Sequence, residues 1–110
     1  MGWAFGWPLP LKETAKRARQ IGLAKKSWDD KRAREEMIME IVRLDDSDLV
    51  QFVACQVDNT IMCIVALCVD EDAETAEEAE INNLPPRKIA ARIGDLLDAD
   101  RELQWYKDFD

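Results

Sequence analysis

A mainly α-helical single domain, a compact bundle of four to five helices behind an extended aromatic N-terminal arm, is the fold class this sequence predicts. Three observations carry it. Apolar residues recur at helical spacing over much of the chain, and capping residues stand before several of these stretches. A length of 110 residues with 47% hydrophobic content suffices for one core but not for two cores and a linker. The domain plan is an arm over residues 1–10 and one helical domain over residues 11–110.

Trp3, Phe5 and Trp7 alternate in the arm, and Pro8 and Pro10 fix backbone angles that bar a helix before Leu11. The arm should be extended, its three rings on one face, with Trp7 turned to the core and Trp3 to a partner. Leu11, Ala15, Ala18 and Ile21 then share a helical face, so a first helix runs from Leu11 to about Ala24. Ser27 stands as N-cap of a second helix, with Asp29 and Asp30 in its first turn. Ala33, Met37, Ile38, Ile41, Val42 and Leu44 form the apolar stripe of that helix, which stops at Asp45-Asp46-Ser47.

Leu49 to Val69 is rich in β-branched residues that suit a hairpin turning at Asp58-Asn59, and this gives an α+β fold as the alternative. Periodicity favours helices instead. Leu49, Val53, Val57, Ile61, Ile64 and Cys68 share a helical face, whereas Gln51 and Gln56 have opposite strand parity. Asp46 or Ser47 would cap a short helix to about Gln56. Asp58 or Asn59 would cap a longer one with Ile61–Val69 as the central core helix, continued by the acidic run Asp70–Glu80. Asn82-Asn83-Leu84-Pro85-Pro86 is the clearest break, after which Pro86 starts a helix whose stripe is Ile89, Ala90, Ile93, Leu96 and Leu97. Trp105, Tyr106 and Phe109 make a second aromatic end that meets the first if the chain ends are adjacent. The expected core is Ile38, Ile41, Leu44, Val53, Ile61, Ile64, Val65, Leu67, Ile89, Ile93 and Leu97.

Charge divides the chain. Up to Leu44 ten basic residues face six acidic ones, and from Asp45 five basic residues face seventeen acidic ones, so a net of +4 is followed by a net of -12. The absence of histidine removes the commonest general base and metal ligand, and Ser27 and Ser47 have capping roles, so no catalytic residue is assigned. Cys55, Cys63 and Cys68 are odd in number, match no paired-ligand spacing and read as reduced, packed thiols, so neither metal nor other cofactor is expected. The run from Asp70 lacks the turn glycine and the twelfth-position glutamate of an EF-hand. No uncharged apolar run reaches the length of a membrane span. An intracellular, cytoplasmic location is expected, with mitochondrial targeting as the alternative because the first 26 residues hold six basic residues and one acid.

By elimination, the chain reads as a small non-catalytic protein-interaction factor. It would be an inhibitor or adaptor, of the size and charge of small viral or mobile-element proteins, that docks on a larger assembly. The alternatives are a structural subunit of a multi-chain complex and a nucleic-acid binder using the first two helices. The expected contact residues are Trp3, Phe5 and Trp7 of the arm, Lys16, Arg17, Lys25, Lys26, Arg32 and Arg34 of the basic helices, and Asp72, Glu74, Glu77 and Glu78 of the acidic run. The partner is then a protein, with nucleic acid second and self-association left open.

Overall fold

The structure, a computed structural model, describes residues 2–45, 49–84, 87–99 and 102–108. Its elements run β1 (Trp3–Pro8), α1 (Leu11–Gln20), α2 (Asp30–Leu44), β2 (Gln51–Val57), β3 (Thr60–Asp70), α3 (Ala76–Asn82), α4 (Arg87–Leu97) and β4 (Gln104–Lys107). The expected mainly α-helical bundle is overturned. Among the described residues the fold is α+β, with an antiparallel sheet in the order β2-β3-β1-β4.

The error lay in Leu49–Val69, where the hairpin at Asp58-Asn59 forms. Both residues hold positive φ, 51° and 67°, and Val57 pairs directly with Thr60, the geometry of a two-residue type I′ turn. Asp and Asn tolerate this left-handed region because their short polar side chains bond locally. Helical spacing misled because both faces of β3 are covered over Ile64–Leu67, so the alternation that marks a half-exposed strand is missing there. Gln51 and Gln56 carried no parity information, since each sits near an exposed end of β2. The proposed caps Asp46 and Ser47 lie outside the described residues, as do Pro86, Asp100 and Phe109.

The aromatic arm is extended as its prolines require, but it does not stand off the domain. It is β1, a central strand with β3 on one side and β4 on the other. Room for it depends on Gly6: a β-carbon there would lie 1.8 Å from the Val65 carbonyl oxygen. At the same point Phe5 pairs with Cys68 and Gly6 with Ala66, so Leu67 is the extra residue of a β-bulge. Trp3 and Phe5 pair with Lys107 and Trp105 of β4, which brings the chain ends together. The Phe5 and Trp105 rings lie 5.2 Å apart at a 44° tilt.

Helices α1, α2 and α4 cover one face of the sheet. Trp7, Leu9, Val65 and Leu67 meet Ala15, Ala18, Met37, Ile41, Ile89 and Ile93 there, with Phe52 and Cys63 partly buried against them. Gly94 lets α4 close on Trp7, whose indole would lie 3.2 Å from a β-carbon at that position. α1 starts at Leu11 as expected but stops at Gln20. Gly22 takes φ 79°, and the N–H groups of Leu23 and Gly22 donate to the carbonyls of Ala18 and Arg19, a Schellman stop. Asp29, not Ser27, caps α2 by accepting from the Arg32 N–H at 2.8 Å. The acidic run is not a continuation of Ile61–Val69: β3 ends at Asp70, and α3 starts afresh at Thr75, whose hydroxyl accepts from the Glu78 N–H.

Among the described residues no helical side chain belongs to the second core. Ala4, Cys55, Val57, Ile64, Ala66 and Tyr106 point to the other face, yet Cys55 and Ile64 are fully buried. The sheet covers itself. Cys55 of β2 bridges Asp108 just past β4, and the Asp108 N–H donates to the Gly2 carbonyl, so the outer strands curl together and enclose this face. Ile61, expected in the core, falls instead on the helix-side face near the hairpin tip and is 52% exposed.

Gly6→Ala should therefore separate β1 from β3 and lower the melting temperature by about 10 °C or more, read by thermal denaturation, because the clash is with backbone. Ile64→Ala should cost about 2 to 5 kcal/mol in urea titration, as a fully buried side chain does.

Candidate functional site

The thirteen expected contact residues fall in different environments. Trp7 is buried, while Trp3 and Phe5 are half-buried. Lys16, Lys25 and Lys26 are exposed. The arginines beside them are committed to the fold.

Arg17 Nε donates to the Leu96 carbonyl at 2.9 Å and its Nη2 to the Asp95 carbonyl at 3.2 Å, capping the negative end of α4. Arg19 donates to the Trp28 carbonyl and pairs with Asp30 at 2.9 Å, fastening α1 to the turn before α2. Arg32 stacks on Trp28, its guanidinium carbon 3.7 Å from the ring centroid, with Lys25 at 6.0 Å. Arg34 differs. Its Nε is shielded from solvent without a hydrogen-bond partner among the described residues, and the side chain is half-buried over the sheet. Burial raises the Cys63 thiol and the Arg34 charge partly offsets this.

The acidic residues form one exposed surface. Asp70 anchors it: the Asn83 side-chain amide donates to its carboxylate at 2.9 Å and the N–H groups of Asp72 and Ala73 at 3.0 Å, holding the acid below its ordinary range. Asn83 also donates to the Ala79 carbonyl, so the end of α3 is tied to the end of β3. Glu78 accepts from the Glu74 N–H at 3.1 Å, and with Thr75 this completes a variant of the capping box. Asp72, Glu74, Glu77 and Glu78 are all exposed. Two apolar residues missed by the sequence reading stand among them: Ile81 is 82% exposed and Leu84 is 99% exposed. Their signal was their setting, Ile81 between Glu80 and Asn82 at the end of the acidic run and Leu84 beside the proline break.

Two clefts open to solvent. One of about 210 Å³ lies between Trp7, Pro10, Thr14, Arg17, Leu97 and Asp98, and a shallower polar one of about 500 Å³ lies by Gln51, Asp70, Asp72 and Asn83. Among the described residues no three His, Cys, Asp or Glu side chains gather as a metal site requires. No helix among them is long and apolar enough to cross a membrane.

The fold and surface define a small α+β protein with exposed acidic and apolar side chains side by side on Asp72–Leu84. No protein-family model, curated protein or solved structure matches the chain.

Cys55 offers a pH probe of the enclosed face. Burial, reinforced by the Asp108 carboxylate and Cys63, pushes its thiol up to about 11 from 9.0. The folded-state value lies above the unfolded one, so the neutral thiol's contribution is intact below pH 9 and is lost as pH rises through 11. Urea midpoints across that window should fall further for the native chain than for Cys55→Ala, and parallel curves would remove this role.

Proposed function

We propose that this chain is a non-catalytic protein-interaction factor that docks through the segment Asp72–Leu84 onto a partner presenting an apolar groove rimmed by cations. The observation that carries it is the exposure of Ile81 and Leu84 beside Glu77, Glu78 and Glu80. A large aliphatic side chain left in water forgoes about 1.5 to 3 kcal/mol of burial, and two neighbours on a pinned helix end make a preformed anchor. The carboxylates around them steer the approach and select a basic surface. Asp70 and Asn83 hold the segment in place before binding, which lowers the ordering cost.

The nucleic-acid alternative loses support. Arg17, Arg19 and Arg32 engage their guanidinium groups in contacts with their own chain, and the acidic segment repels phosphate.

Ile81→Asp with Leu84→Asp tests the proposal. The melting temperature should stay within a few degrees, since both side chains are exposed, while the native complex measured by size in its source lysate collapses to the 12.6 kDa monomer. A complex of unchanged size in the double variant, or a native protein already monomeric, would sink the proposal.

A further inference from the structure

The hairpin carries the complement of the acidic segment. On the helix-side face of β2 and β3, the cross-strand pairs Ala54–Cys63 and Gln56–Ile61 lie toward the turn. Ala54, Gln56 and Ile61 are exposed, and Ile61 retains 52% of its surface in water. The Leu9 N–H donates to the Cys63 carbonyl at 2.8 Å, which brings the start of α1, with exposed Leu11, to this end of the sheet. Arg34 of α2 acts by its charge on the Cys63 thiol of this face, and it has no ion pair, nor its Nε a hydrogen bond, among the described residues. A half-buried guanidinium normally has a partner, so an apolar face edged by this one is matched to an anion with an aliphatic neighbour.

We propose that the segment Glu77–Leu84 of one chain docks on this hairpin face of a second copy, with a glutamate carboxylate on the Arg34 guanidinium and Ile81 and Leu84 against Ile61, Ala54 and Leu11. This rests on the docking role of that segment given above and names the occupant. Charge complementarity selects it: the face offers a cation that has no ion pair among the described residues, and the segment offers acids in no ion pair among them around two exposed apolar side chains. The contact cannot form within one chain. Asn83 ties α3 to Asp70, and the hairpin turn lies at the other end of the eleven-residue β3, roughly 35 Å away at strand spacing. The two surfaces differ, so the contact is head-to-tail and leaves each dimer with one free segment and one free face.

That asymmetry supplies the test. One variant carries Ile81→Asp and Leu84→Asp and keeps its hairpin face; the other carries Arg34→Gln and Ile61→Asp and keeps its segment. In sedimentation velocity the native chain should form species that grow with concentration and shrink with added salt. Each variant alone should stay monomeric, and their equimolar mixture should give a dimer and nothing larger. Circular dichroism and melting of each variant establish that it is folded, and Ile61→Asp alone, at a surface position, should weaken association about tenfold if the double variant fails to fold. A monomeric native chain at all concentrations, a monomeric mixture of folded variants, or unaltered self-association in the Arg34 variant overturns the proposal. Loss of the native complex in the segment variant with retention in the hairpin variant keeps the docking role and rejects the second copy as occupant.

Discussion

The close approach of β1 to β3 is the constraint on which the rest of the structure depends. With no side chain at Gly6, the Val65 carbonyl occupies the space a β-carbon would take. β1 thereby becomes an inner strand, and its aromatic alternation acquires meaning: Trp7 enters the helix-side core, while Phe5 meets Trp105 of β4. The bulge at Leu67 shifts the phase of β3 beyond this point, so that Leu67 packs with the helices and Val69 with the enclosed face.

The second consequence is a sheet buried on both sides without a second layer of helices. β3 is the shared wall. Val65 and Leu67 face α1, α2 and α4, and Ile64 and Ala66 face a core that the sheet encloses by curling until Cys55 meets Asp108. Through the Cys55–Asp108 bridge such closure covers part of the backbone edge, the usual liability of a small antiparallel sheet. It also leaves the Tyr106 hydroxyl buried without a partner among the described residues, a polar cost within that core.

Tertiary structure also redistributes charge. The first half of the chain is basic in sequence, but its arginines serve as fasteners: Arg17 on the end of α4, Arg19 on Asp30 and the Trp28 carbonyl, and Arg32 on the Trp28 ring. The planar guanidinium suits these multidentate and stacked contacts, and the lysines remain in water. The acidic half has few such uses, so its carboxylates surround Ile81 and Leu84 as an accessible surface. A chain divided by charge in sequence therefore becomes a molecule with an exposed acidic surface and, among the described residues, an Arg34 Nε without a hydrogen-bond partner.

By itself the sequence determined the local elements whose cause is local. Pro8 and Pro10 made residues 3–8 extended and started α1 at Leu11, and the stripe Ala33-Met37-Ile41 made α2. Ile89 and Ile93 placed α4, and the odd, unpaired cysteines read correctly as free thiols. The turn signal at Asp58-Asn59 was present too, but apolar spacing outweighed it, and the capping signature Thr75–Glu78 went unread. Partners remote in sequence decided the rest. Whether Val53, Ile64 and Cys68 belong to a helix or a strand depends on what covers their second face, and that is the curl of the sheet itself. Which arginines stay free depends on carbonyls and rings brought near by folding. Ile81 and Leu84 became recognisable as exposed only once the core was complete without them, because burial is a property of the packed chain and not of a residue.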